Sequence, residues 1–173
     1  MSQEKGSLRL LILLVALGVG VYWFARRSSG PETGSLANDF SLPVVSGGVE
    51  RVQLSELRGR PVLVEVVASW CGVCRRAAPT LAAAAKAPRQ REVRFLAVSV
   101  DEERADAAAL AKKWDIPYDV AHDDGRFARS YRIDLLPTFV LIDAEGRIRK
   151  VSTGAPKPAD VERWLAEVGA ERL

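Results

Sequence analysis

Cys71 and Cys74 are the only cysteines in the 173-residue chain, and they stand three positions apart. In the first turn of a helix, residues i and i+3 share a face, so the two sulfurs can close a small disulfide ring. Cys71 at a helix N-terminus would meet unpaired backbone N–H groups and a dipole that favours an anion. Arg75 and Arg76 add positive charge nearby. Such surroundings lower a thiol pKa from about 8.5 to roughly 3.5–7.5. The chemistry expected is thiol–disulfide exchange, in which a Cys71 thiolate attacks a disulfide and Cys74 resolves the mixed disulfide. A purely structural disulfide is the weaker alternative, because a four-residue ring restrains little of the unfolded chain. Zinc is weaker again, since two thiols fill half a tetrahedral site and the sole histidine is His122.

The elements around the pair must deliver this geometry. Val62 to Val67 is a β-branched and aliphatic run that reads as a buried strand, broken by Ala68 and Ser69. The helix that follows runs from about Gly72 to Ala87 and ends before Pro88; its Ala-rich stretch, Leu81 to Ala85, suits close packing. Val93 to Val100 reads as a second buried strand, with Asp101 placed to cap a helix from about Glu103 to Trp114. Ile116-Pro117-Tyr118 begins a short strand, and Asp123-Asp124-Gly125 turns into a short helix through Phe127 and Tyr131. Phe139 to Asp143 and Ile148 to Val151 form a hairpin across Ala144–Arg147. Pro158 opens a last helix that buries Val161, Trp164, Leu165 and Val168 on one face. Ahead of all this, Phe40–Pro43 is a short strand, Gly47-Gly48 a turn, and Leu54–Gly59 one helical turn. The expectation is an α/β domain, a mixed sheet with helices on both faces.

Trp70-Cys71-Gly72-Val73-Cys74, Pro79 five after the second cysteine, Glu65 six before the first, Leu136-Pro137-Thr138 and Gly154-Ala155 together carry a resemblance. The chain resembles the thioredoxin superfamily and, more narrowly, the membrane-anchored TlpA/ResA-like thiol–disulfide oxidoreductases. The resemblance covers about residues 36 to 170. It implies a thioredoxin fold with an N-terminal β-hairpin and an inserted strand–helix between residues 93 and 120. It also implies a buried acidic Glu65, a cis Leu136–Pro137 bond packed against the disulfide, and a kink at Pro79. The dipeptide between the cysteines is Gly-Val where thioredoxins have Gly-Pro, which leaves the redox direction open.

Three further site candidates follow. Glu65 interrupts an apolar strand on the face of Leu63 and Val67. Burial would raise its pKa and suit it to shuttling the proton of Cys74, whereas a position at a sheet edge would let it reach solvent or an Arg. Trp70 is expected to shield Cys71 and form an apolar docking surface, with core packing as the alternative. On the resemblance, Pro137 and the backbone of Leu136 position a substrate strand by β-augmentation. His122 beside a polar turn reads as a surface histidine, and Arg89, Arg91 and Arg94 as a solvated cluster.

At the N-terminus an uncharged apolar run extends from Leu10 to Ala25, flanked by Arg9 and by Arg26-Arg27. Sixteen helical residues span about 24 Å, and with Leu8 added and Arg9 snorkelling they approach the ~30 Å hydrocarbon core. Residues 1–27 are therefore expected as a transmembrane helix, an uncleaved signal anchor. Residues 28–35 read as a flexible polar linker, and 36–173 as one thioredoxin-like domain. Flanking charges barely favour either orientation; the resemblance implies a catalytic domain on the extracytoplasmic (periplasmic) side of the cytoplasmic membrane. Four of 25 basic and one of 22 acidic residues precede Ser28, so the rest balances at 21 against 21 and no nucleic-acid partner is implied.

The reading is a membrane-anchored thiol–disulfide oxidoreductase acting on protein thiols and disulfides, with no cofactor, since the cysteines carry the two electrons. The resemblance implies a reductase recharged by a membrane thiol-reducing partner, with cytochrome c biogenesis among its tasks. Two rivals come from other classes. A copper-binding module would use the two thiols as soft Cu(I) ligands but lacks a third ligand nearby. A peroxiredoxin-like peroxidase shares the phrase Asp39-Phe40-Ser41-Leu42-Pro43 but expects a Thr or Ser three before its cysteine, where Ala68 precedes Cys71.

Overall fold

Every residue of the run at 62–67 is buried, which is possible only for a strand covered on both faces. The computed structural model describes residues 14–19, 30–88 and 92–169. Its elements are β1 (Ser41–Ser46), β2 (Arg51–Gln53), a 3-10 turn (Leu54–Leu57), β3 (Val62–Val67), α1 (Gly72–Lys86), β4 (Arg94–Ser99), α2 (Arg104–Lys113), β5 (Asp119–His122), α3 (Arg126–Ser130), β6 (Thr138–Ile142), β7 (Ile148–Thr153) and α4 (Pro158–Gly169). The seven strands lie in the order β2-β1-β5-β4-β3-β6-β7. β3, β4 and β5 run parallel; β6 pairs antiparallel with β3, β7 with β6, and the β1–β2 hairpin joins antiparallel to β5. This is a thioredoxin-like α/β fold, a mixed sheet with flanking helices and the expected N-terminal β-hairpin.

Alternation along β3 divides the core. Val62, Val64 and Val66 face a cluster with Phe40, Phe127 and Tyr131, in which the Phe127 and Tyr131 rings stack at 4.4 Å. Leu63 and Val67 face the other side, where α1, α2 and α4 pack through Ala77, Leu81, Leu110, Trp164 and Leu165. The small Ala77 lets α1 lie close to the strand that delivers Cys71. Emptying such a site, as in Leu81→Ala, costs about 2–5 kcal/mol in fully buried positions.

Three expectations are corrected. Residues 30–37, which include most of the expected flexible linker, are docked: Gly34 N–H donates to Ile148 O (2.7 Å), Ile148 N–H to Ser35 O (2.9 Å) and Ala37 N–H to Gly146 O (2.9 Å). An unpaired edge on β7 is a strong template for such pairing, and local polarity does not reveal it. Arg94 is not a solvated charge, because its guanidinium pairs with the buried carboxylate of Asp119; Arg89 and Arg91 lie outside the described residues. His122 is buried, its Nε2 2.9 Å from Asp101 O, because β5 is an inner strand. The expected anchor falls largely outside the described residues. Residues 14–19 are helical with Leu14, Val15, Leu17 and Val19 exposed, and among the described residues no helix is long and apolar enough to cross a membrane.

Candidate active site at the Cys71–Cys74 disulfide

The site forms where β3 hands the chain to α1. Val100 N–H donates to Val67 O (2.9 Å) and Cys71 N–H to Ala68 O (3.0 Å), closing the turn. Cys71 becomes the N-cap of α1, its Sγ accepting from Cys74 N–H at 3.1 Å. The cysteines are joined as a disulfide with Cα atoms 5.3 Å apart. Their burial differs: Cys71 is 7% exposed and Cys74 0%. Arg75 and Arg76 are exposed on the first turn, which contains no acidic residue. Trp70 is 72% exposed, so at this site it is surface, not core. Pro79 lies inside α1, where it removes one helical N–H.

The turn is braced from the neighbouring strand. The buried Asp101 carboxylate accepts Ser69 N–H at 3.0 Å on either oxygen, Ser69 Oγ–H at 2.8 Å and Ser99 Oγ–H at 2.7 Å. It does not cap α2, whose N-cap is Glu103 without a side-chain bond. Sequence reasoning missed this residue as part of the site. Its role depends on β4 lying parallel beside β3, so that the residues after both strands meet at one sheet end, which the sequence does not display.

The opposite wall is Leu136–Pro137, whose peptide bond is cis. Leu136 packs on the cluster that contains Cys71, Cys74, Val67 and Ala68. Pro137 O accepts Gly154 N–H (3.0 Å), and Thr138 Oγ–H donates to Leu135 O (2.7 Å). Gly154 holds φ +80°, a conformation that favours glycine and delivers its N–H to this loop. The backbone N–H and C=O of Leu136 have no backbone partner among the described residues. Leu135, beside Leu136 in the chain, is 56% exposed.

Glu65 is fully inside, between Leu63 and Val67 on the α1 face of β3. Burial raises its pKa to about 7, against a smaller lowering by the Tyr118 hydroxyl, which donates to Oε2 at 2.8 Å. Oε1 has no hydrogen-bond partner. The same burial, with the adjacent carboxylate, pushes the Tyr118 hydroxyl well above its ordinary range. The structure thus brings Trp70, Cys71, Cys74 and Leu136–Pro137 into one end of the sheet, with Glu65 in the core behind α1. Tyr118, one residue before β5, was missed because its partner is 53 positions away. Among the described residues no group of three His, Cys, Asp or Glu side chains is placed to hold a metal ion.

Comparison with known proteins agrees with this geometry. The Redoxin family model matches residues 32–165. The thiol-disulfide oxidoreductase ResA of Bacillus subtilis (strain 168) is 34% identical over 159 residues, 90% of this chain and 87% of that protein. The ResA of Geobacillus kaustophilus (strain HTA426) is 30% identical over 161 residues, 92% and 91% of the two chains. A solved structure of a thiol:disulfide interchange protein of the thioredoxin family from Chlorobium tepidum TLS is similar with a TM-score of 0.69 and 25% identity, over 79% of this chain and 97% of that one.

Proposed function

The chain belongs to the Redoxin family, as a TlpA/ResA-like member of the thioredoxin superfamily, and on that premise we propose that it is a membrane-anchored reductase of protein disulfides outside the cytoplasm. That it is a thiol–disulfide oxidoreductase is the part its relatives establish. The observation that carries the mechanism is the unequal burial of the two cysteines at the head of α1.

In the reduced protein the Cys71 thiolate, stabilised by Cys74 N–H and the helix N-terminus, attacks one sulfur of a substrate disulfide. A Cys71–substrate bond forms, the substrate S–S bond breaks, and the leaving thiolate takes a proton. Cys74 then gives up its proton, attacks Cys71 Sγ and releases the second substrate thiol. Two electrons have passed to the substrate and the Cys71–Cys74 disulfide is restored. Glu65, poised near neutrality by burial, relays the Cys74 proton. Trp70 and Leu135 supply the apolar docking surface, and the open N–H and C=O of Leu136 pair with the extended substrate strand beside Pro137. The exposed apolar side chains of helix 14–19 support a transmembrane anchor, because they join no core of the domain. Recharging then falls to a membrane thiol donor, and oxidised apocytochrome c is the first substrate to try.

The test uses single-cysteine variants with an oxidised substrate peptide. Cys74→Ser is expected to accumulate a mixed disulfide through Cys71, and Cys71→Ser to form none. A reduction potential near or below roughly −250 mV fits a reductase; one near about −120 mV would mark an oxidant and overturn the proposed direction.

A further inference from the structure

The docked segment ahead of β1 has a direction. Leu36 bridges Arg147 antiparallel, Ser35 meets Ile148, and Gly30 reaches Val151 and donates its N–H to Arg132 O at 2.7 Å. Read backwards from Ala37 to Gly30, the chain climbs the outer edge of β7, the last strand of the sheet. β7 itself runs from Ile148, opposite Ile142, to Thr153, opposite Thr138, and Gly154 then binds Pro137 O. Gly30 therefore leaves the domain about two strand residues, roughly 7 Å along β7, from the level of the cis-proline loop. Its seat admits only glycine: φ is +96°, and a Cβ there would lie 2.7 Å from Val151 Cγ1.

From these contacts we infer that residues 30–37 are a strap that holds the disulfide end of the domain toward the membrane, so that its anchored partners are proteins whose reactive sulfurs lie at the bilayer surface. The inference rests on the proposed anchor at residues 10–25. Five peptide links separate Ala25 from Gly30, a reach of at most about 18 Å. The strap sets the start of the domain at the redox end and keeps the disulfide within roughly 30 Å of the headgroups. Were 30–37 a free linker, the leash would be twelve links, about 43 Å, attached at Ala37 beside Gly146 at the opposite end of β7. The disulfide would then sample a large volume of solution, and its effective concentration toward a surface-bound sulfur would fall. The strap converts a loose leash into a short one and fixes which end faces the lipid.

The pre-reduced full chain in phosphatidylcholine vesicles provides the test. Its probes are transmembrane peptides bearing a cysteine–thionitrobenzoate disulfide, either at the interface or at the tip of about 27 further helical residues, ~40 Å out. Each turnover oxidises the Cys71–Cys74 dithiol to the disulfide and releases one peptide thiol and one thionitrobenzoate. The wild type is expected to reduce the interfacial probe at least tenfold faster than the distant one. Gly30→Val, which unseats the strap, is expected to cut that ratio at least fivefold while reducing soluble insulin at the wild-type rate. Twelve Gly/Ser residues inserted between Ser29 and Gly30 lengthen the leash without touching the seat and should cut the ratio likewise, so a misfolded Gly30→Val protein does not shield the idea. Equal wild-type rates on both probes, or an insertion that leaves the ratio unchanged, would overturn the strap. Flotation separates the two readings: protein that does not rise with the vesicles overturns the anchor, whereas protein that rises but shows no preference overturns the strap alone.

Discussion

Two buried carboxylates lie on or just after the strands next to the disulfide turn and are held in opposite ways. Asp101, at the end of β4, has both oxygens occupied by donors from Ser69 and Ser99. Glu65, in the middle of β3, has one oxygen on Tyr118 and the other on nothing. A carboxylate fully supplied with donors fixes the groups that donate to it, here the turn two residues before Cys71. One deprived of donors is costly to ionise, so its proton comes and goes near neutrality. One end of the sheet thus carries a brace, and the core behind α1 holds a carboxyl whose pKa burial and a missing donor keep near neutrality.

The sharpest way to break that contrast is Asp101→Ala. It strands the fully buried Ser99 hydroxyl and the part-buried Ser69 N–H, at about 1–3 kcal/mol for a group left without a partner away from water. A loss of about 3–5 kcal/mol in urea unfolding of the oxidised protein is expected, with a change in Trp70 fluorescence; a loss below about 1 kcal/mol would remove the brace.

Glu65→Gln should move the other way, and only with pH. A carboxyl whose folded pKa is raised from 4.5 to about 7 binds its proton more tightly in the native state, so stability is full below pH 4.5 and falls as pH rises toward 7. That slope sums to about 3 kcal/mol, less any relief from water entering the site. Relative to wild type, the Gln variant is expected to gain stability progressively from pH 4.5 to 8, read by denaturant titration at each pH. A parallel displacement of the two curves at all pH values would contradict the buried, titrating carboxyl.

Tyr118→Phe is the smallest change. Removing a hydrogen bond to the ionised form should raise the Glu65 pKa further, by up to about one unit, which carbon-13 NMR of the glutamate carboxyl reads directly. A downward shift would mean that the hydroxyl serves the neutral acid.

The sequence announces the parts of this arrangement that are local. The aliphatic run at 62–67, the small residues at 68–69 and the paired cysteines specify strand, turn and helix within 25 residues, and β3 and α1 form where that pattern ends. Periodicity also placed α4 and its buried face. What was not legible depends on strand order. Asp101 looks like a helix cap until β4 is known to lie beside β3, and His122 looks like a surface residue until β5 is known to be internal. Gly30 and Gly34 read as linker because nothing nearby in the chain reveals the open edge of β7. Polar side chains bonded across 32 or 53 positions leave no periodic trace.

The near-complete enclosure of Cys74 also has a bearing on the order of events in time. Cys74 has no exposed surface and Cys71 a little, so on the proposed mechanism reductant and substrate are each joined to the protein through Cys71. The two half-reactions therefore exclude one another: a molecule engaged with its donor has no free port for its client. On the proposed mechanism the donor reacts with the oxidised protein and the disulfide client with the reduced one, so steady-state turnover should follow a ping-pong pattern whose two half-reactions alternate as traffic does on a single-lane bridge.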